Sequence, residues 1–182
     1  MRHLRALTVA GAAALVAGSV AGGAAAEPAI HASATLVDTG GTPVGRARLV
    51  EDATGTVHVN VHVAGLSPGL HGIHLHAVGT CTTGTTPAFS SAGSHHNPTG
   101  SKHGLENPGG PHAGDLPNLV VNVAGVGRLA TTTDRATLSA GATTLFDANG
   151  SALVIHAATD DQQSDPTGNS GGRVACGVLQ AG

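Results

Sequence analysis

Hydrophobic and polar residues alternate most strictly over residues 57–63, where Val57, Val59, Val61 and Val63 interleave with His58, Asn60 and His62. A period of two puts the valines on one face and the polar groups on the other, which predicts a half-buried strand. Similar or shorter runs predict strands over 33–37, 44–51, 69–77, 119–123, 128–133, 152–157 and 174–179, with Gly, Asp, Asn or Pro at many of the breaks. That makes eight. No stretch shows the spacing of an ordinary amphipathic helix, and no internal repeat is visible. Two polar segments interrupt the strands: residues 78–118, rich in Gly, Ser, Thr, Pro and His, and residues 159–172. A loop of about forty residues inside a small domain is usually functional or disordered.

Composition narrows the architecture. The apolar residues are mostly Ala, Val and Leu, with 28 glycines, no Trp, no Tyr, and only Phe89 and Phe146. Small and β-branched side chains fit a thin β-sandwich or barrel better than a thick helical core. The 182 residues suit one such domain. A thin core buries little area per residue, so a covalent or metal supplement to stability is expected.

The first residues read as a leader rather than as part of the fold. Arg2 and Arg5 precede an acid-free apolar run, and Ala24, Ala25 and Ala26 form a small-residue cleavage site. Residues 1–26 are therefore expected to be a secretory signal peptide and 27–182 the working domain, exported to the cell envelope or beyond. An uncleaved membrane anchor is the alternative. No second apolar run could cross a membrane. Without the leader, six basic residues stand against eleven acids, a formal charge of −5. That excess argues against nucleic acid and anionic membranes as partners. Cys81 and Cys176 are the only cysteines. In an exported chain such a pair reads as one disulfide, worth about 4–5 kcal/mol in the chain-entropy view.

Candidate chemistry lies in twelve histidines. His74 and His76 share a face of one predicted strand and can grip one metal ion, whereas His71 has the opposite parity. His156, at the end of a late apolar run, could meet that pair across the barrel. An all-imidazole set with room for a further ligand suits copper. The long loop offers His95, His103, His112 and Asp115, three imidazoles and a carboxylate, a tetrahedral set suited to zinc. The blander reading is a solvated, His-rich loop that traps metal loosely.

The segments Gly69-Leu70-His71-Gly72-Ile73-His74-Leu75-His76, Gly93-Ser94-His95-His96-Asn97-Pro98, His112-Ala113-Gly114-Asp115-Leu116 and Gly172-Arg173-Val174-Ala175-Cys176-Gly177-Val178 resemble the copper–zinc superoxide dismutase family, in order, from about Ala34 to the C-terminus. The resemblance implies an all-β fold, an eight-stranded antiparallel Greek-key β-barrel or sandwich with long metal-binding loops. It implies copper on His74, His76, His95 and His156, and zinc on His95, His103, His112 and Asp115, with His95 as the bridge and proton carrier. It further implies that Asp160 links a copper histidine to a zinc histidine, that His71 holds backbone near the copper strand, that Arg173 and Thr167 line the channel mouth, and that Cys81 pairs with Cys176. The motif register selects His95 and leaves His96 as an exposed loop residue. His58 and His62 fall outside every motif and are expected on an exposed strand face.

The activity so implied is disproportionation of superoxide to oxygen and hydrogen peroxide. The rivals are a copper-delivery or copper-buffering protein on the same barrel, and a metal-free interaction domain. Delivery would want an additional exposed Cys or Met site, and Met1 is the only methionine. A metal-free domain would have lost ligands, and none is lost. The short spacing from His76 to Cys81 and the Leu116-Pro117 pair are bacterial in style, whereas the His95 to His103 spacing resembles eukaryotic members. The stretch before Arg173 lacks the lysines that many family members carry near the channel. These departures bear on oligomeric state and steering, and a homodimer is left open.

Overall fold

The computed structural model describes Met1 and residues 29–182, so the expected leader lies outside the described residues apart from Met1. Ten strands form: β1 (Ile30–Asp38), β2 (Pro43–Glu51), β3 (Val57–Val63), β4 (Gly69–His71), β5 (Ile73–His76), β6 (Leu119–Val121), β7 (Gly127–Thr133), β8 (Ala152–His156), β9 (Arg173–Val178) and the two-residue β10 (Gln180–Ala181). The only helical element among the described residues is a 3-10 turn at Ser90–Ala92. The strand at 57–63 has the expected bounds, with every valine buried and every polar residue exposed.

The strands run in the order β4-β6-β7-β3-β2-β1-β9-β8-β5, all pairs antiparallel, with β10 on β1. The two ends of this path, β4 and β5, are halves of the one strand expected over 69–77. The chain bends between them at Gly72, so one segment seals both margins of a nearly closed barrel. That accounts for the departure from eight strands, together with the short β10. Gly72 keeps both sides in place, donating its N–H to the Ala158 carbonyl and accepting from the His156 N–H. A Cβ there would lie 2.7 Å from Ser170 Cβ and 3.2 Å from Asp160 Cβ, so glycine is what lets the chain segment carrying Asp160 close in.

The barrel is filled by small and medium side chains, among them Leu36, Leu49, Val59, Leu75, Leu153 and Ile155. A second, smaller apolar cluster lies outside the barrel wall. There Phe89 and Ala92 from the long loop pack with Ala152, Val154 and Cys176. Burying Phe89 fully contributes about 1.5–3 kcal/mol and fastens the loop to the barrel. The Cys81–Cys176 disulfide closes beside it across 95 residues of sequence. On the far side, the buried Glu51 carboxylate at the end of β2 accepts from the Leu138 and Ser139 N–H groups and the Ser139 hydroxyl, at 2.5–2.7 Å. Burial pushes its pKa up, but the Ser139 and Leu138 hydrogen bonds outweigh that and hold it below 4.5. Glu51 so ties the 134–147 loop to the barrel.

Candidate metal centre

The ligand-bearing loop is laid back onto β5 by short backbone ties. Leu75 N–H donates to Gly114, His96 N–H to Leu75, Gly114 N–H to His96 and Ala77 N–H to Ser94, at 2.8–2.9 Å. His76 and His95 face each other across one isolated bridge, His74 and Asp115 across another. His156 comes from β8, which pairs directly with β5. Its ring therefore meets His74 from the neighbouring strand, not from across the barrel, with centroids 4.8 Å apart.

Four imidazoles, His74, His76, His95 and His156, bring ligand atoms within 4.8 Å of one another, all buried. Three of them are aimed by a hydrogen bond on the far ring nitrogen. His76 Nδ1 donates to the Gly93 carbonyl, His156 Nδ1 to the Gly171 carbonyl, and His74 Nε2 to Asp160 Oδ2 at 2.7 Å. Such bonds fix the tautomer and leave a lone pair on the other nitrogen. Those other atoms, His74 Nδ1, His76 Nε2 and His156 Nε2, together with His95 Nε2, are buried and have no hydrogen-bond partner. Leaving four buried nitrogens unsatisfied costs several kcal/mol unless a ligand takes them up. Burial holds the His74 pKa down at about 3 and that of His156 at about 4, so these lone pairs stay free of protons at neutral pH. The donor set fits copper.

The second cluster is built around Asp115 Oδ1. His95 Nδ1 lies 3.1 Å from it, His103 Nδ1 3.0 Å and His112 Nδ1 3.3 Å, and the His95 and His112 Nδ1 atoms are 3.4 Å apart. A tetrahedral zinc with bonds of 2.0–2.1 Å has ligand–ligand edges of about 3.3–3.4 Å, so these separations fit zinc. His74 also falls within reach of His95, His103 and Asp115. Its Nε2 is taken by Asp160, however, and its free Nδ1 belongs with the first cluster, so His112 completes the second. Asp115 Oδ2 accepts from the Gly104 and His112 N–H groups. Burial pushes the Asp115 carboxyl up, but hydrogen bonds from His103, His112 and His95 outweigh it and keep it ionised. At His103 burial pushes down, but Asp115 and Asp160 together raise the pKa to about 9. This corner favours positive charge, as a proton or as a metal ion.

His95 belongs to both clusters, one ring nitrogen in each. Asp160 spans them as well, its Oδ2 on His74 and its Oδ1 3.0 Å from His103 Nε2. His71 stays out of both and donates from Nδ1 to the His156 carbonyl at 2.7 Å. Arg173, half-buried, donates to the Phe89 and Gly93 carbonyls. A cavity of about 780 Å³ opens over the first cluster, lined by Arg173, Thr167, His95 and His156 among others.

One expectation is corrected. His96 is 4 % exposed, not on the surface. Its backbone is locked onto Leu75, and its ring donates to the Thr143 carbonyl at 3.2 Å, bracing the 134–147 loop. His58 and His62 do lie on the outer strand face, His58 paired with Asp52 at 2.8 Å. The sequence reading missed several supports. Arg135 donates to the Asp115 carbonyl at 2.8 Å, Asn118 exchanges two hydrogen bonds with the Asp160 backbone, and the Asp165 carboxylate accepts from the His103 N–H. None sits in a ligand motif, and no spacing signals them.

Residues 44–179 match the family model described as copper/zinc superoxide dismutase (SODC). The chain is 42% identical over 153 residues to superoxide dismutase [Cu-Zn] 2 of Aquifex aeolicus, covering 83% of this chain and 87% of that protein. It is 40% identical over 167 residues to superoxide dismutase [Cu-Zn] of Deinococcus radiodurans, covering 85% and 86%. The crystal structure of a SOD-like protein from Bacillus subtilis superposes with a TM-score of 0.76 at 35% identity, covering 81% of this chain and 97% of that one.

Proposed function

Because the chain belongs to the copper/zinc superoxide dismutase family, an oxidoreductase family that uses both metals, we propose how its own residues divide the work of superoxide dismutation. Two superoxide ions and two protons yield one dioxygen and one hydrogen peroxide. His74, His76, His95 and His156 hold copper, and His95, His103, His112 and Asp115 hold zinc. When bound, copper supplies a one-electron couple and zinc a fixed, redox-silent positive charge. The observation that supports this division is the set of four buried, partnerless ring nitrogens beside a tetrahedral group of Nδ1 and carboxylate atoms.

His95 holds and yields a proton at Nε2 while its Nδ1 stays fixed against Asp115 and His112. Asp160 keeps His74 and His103 in one orientation. Arg173 is the catalytic residue that draws the substrate anion in. Its guanidinium is pinned by two carbonyls at the wall of the cavity that Thr167 also lines. Outside the leader the chain carries a formal −5, which repels superoxide at long range. Screening over about 8 Å at physiological salt makes the charge at the mouth dominate. Arg173→Glu should lower the dismutation rate about tenfold or more and abolish or reverse its fall with rising salt, at unchanged copper and zinc content. A variant with the wild-type rate and full copper would remove Arg173 from the site. The delivery reading is not favoured, since the curated relatives are dismutases.

Residues 1–26 act as a cleaved secretory leader ahead of a 27–182 domain. The disulfide fits an extracytoplasmic site, and no described helix is long and apolar enough to cross a membrane. N-terminal sequencing of the exported protein, expected to begin at Glu27, tests the leader. Exposed Leu70 and Val120, paired across β4 and β6, together with Val123 offer an apolar edge for a homodimer, which sedimentation would detect.

A further inference from the structure

The outer face of β1, β2, β3 and β7 is charged in a way that dismutation does not use. Arg46 on β2 pairs with His62 on β3, which pairs with Arg128 on β7. Arg48, two residues along β2, pairs with Asn60 and reaches His31 Nδ1 at 3.3 Å. Side-chain alternation sends all three arginines outward, and all are exposed. They are half of the six basic residues outside the leader, in a chain whose formal charge there is −5. They line one shallow concavity of about 1000 Å³ in which, among the described residues, no Asp or Glu side chain takes part. The one arginine–carboxylate pair among the described residues is Arg135 with Asp134, elsewhere on the surface.

Three cations with no Asp or Glu side chain beside them stand together on one concave face of an acidic protein, next to the last residue, Gly182. Arg46 and Arg128 are two strand spacings apart, roughly 10 Å, and Arg46 and Arg48 are roughly 7 Å apart along one strand. These are backbone spacings, and guanidinium groups spread over them can each take a separate anionic group. An extended chain with an anionic group on successive units supplies such groups. No Trp, Tyr or Phe lines the groove, which leaves only His31, His62 and the arginines themselves to stack on a base, a poor platform for a nucleic acid. A flat anionic bilayer fits poorly into a concavity on a body that is acidic elsewhere. Carboxylates suit the planar fork of arginine, which binds them through two parallel hydrogen bonds. We propose that this face is a docking groove for a carboxylate-bearing polysaccharide, seated on Arg46, Arg48 and Arg128, which would hold the enzyme at an acidic glycan while its metal site stays open on another side.

The test uses the holoenzyme and polygalacturonate, with neutral dextran, dextran sulfate, a single-stranded oligonucleotide and vesicles of phosphatidylglycerol with phosphatidylcholine as comparison probes. Binding to polygalacturonate should weaken with salt. The triple variant R46S/R48S/R128S should bind it about tenfold or more weaker, with dismutation rate and metal content unchanged. The charge-matched variant A53E/A124E/A140E, altered at exposed loop positions, should bind within about twofold of wild type. Titration of the wild-type protein followed by NMR provides a second readout that needs no variant, and shifts should concentrate on outward residues of β1, β2, β3 and β7. The proposal is overturned by any of four results: absence of polygalacturonate binding, equal loss in both variants, shifts centred elsewhere, or tighter binding to the sulfate polymer, the oligonucleotide or the vesicles.

Discussion

Replacing Gly168 by alanine should damage the second metal cluster without replacing any of its proposed ligands. Gly168 has φ +60°, and a Cβ there would overlap Asp160 Oδ1 and lie 2.6 Å from His103 Nε2. Ordinary contact begins near 3.4 Å, so the His103 ring would have to retreat about 0.8 Å and the carboxylate oxygen further. The 3.0 Å bond between His103 Nε2 and Asp160 Oδ1 would then break, and His103 would lose what orients its Nδ1 toward Asp115. Loss of such a support typically weakens metal binding about 10–100-fold, or about 1.4–2.7 kcal/mol. The left-handed backbone adds its own cost of about 1–2 kcal/mol for any L side chain. Gly171→Ala separates the two effects, because Gly171 has φ +76° but a Cβ there meets nothing closer than 3.5 Å. In denaturant unfolding of the metal-free protein both variants should pay the backbone cost, and Gly168→Ala should lose about 1–3 kcal/mol more from the overlap with Asp160 and His103. Only Gly168→Ala should lose zinc affinity in competition with a chromophoric chelator. Equal zinc affinity in the two variants would refute the argument that Gly168 is needed to let Asp160 reach His103.

Asp115→Ala should lower zinc affinity by orders of magnitude while copper stays bound, as metal analysis after dialysis against a chelator would show. His96→Ala should keep both metals yet destabilise the fold by about 0.5–1.5 kcal/mol in denaturant unfolding, since the half-buried Thr143 carbonyl loses one donor and keeps the Thr137 N–H. Cys81→Ser with Cys176→Ser opens a 95-residue loop and should cost about 4–5 kcal/mol by the same assay, with a loss below about 1 kcal/mol refuting the entropic account. Glu51 is held below its ordinary 4.5, so its stabilising contribution is complete above that pH and is lost as pH falls through the lower folded value. Glu51→Ala should therefore destabilise at neutral pH by about 3 kcal/mol and flatten the acid side of the stability profile.

How far the sequence could be read depended on whether a residue's position followed from a local period or from a distant contact. The Val57–Val63 strand came out with its observed bounds because strict alternation fixes both its type and its faces. The strand expected over 69–77 came out whole, because no local signal tells a flat strand with one glycine from a strand bent at Gly72 to seal two barrel edges. Residues 74, 76, 95, 103, 112, 115 and 156 stood out as candidate ligands through motif order, and the structure brings their ring and carboxylate atoms into two adjoining clusters. The burial of His96 was not legible. A loop has no period, and what encloses His96 is the 134–147 loop, some forty residues further along the chain. Arg135 and Asn118 act through backbone carbonyls and N–H groups, so nothing in their spacing to the ligands marks them.

The two clusters are joined twice, through the ring of His95 and through the carboxylate of Asp160. Joined sites are thermodynamically linked: any factor by which one occupied site alters the affinity of the other must be returned in equal measure. Zinc held by the proposed set would steady His95 and His103 and, through Asp160, the orientation of His74, which would make it an allosteric effector of the neighbouring site. Copper occupancy must tighten zinc by the same factor. The order of metal loading then changes the path but not the total, and positive coupling would leave fewer half-loaded molecules than two independent sites would. Where one metal is scarce, the form holding only the abundant metal still accumulates, and that metal would then raise the affinity of the empty site for the scarcer ion.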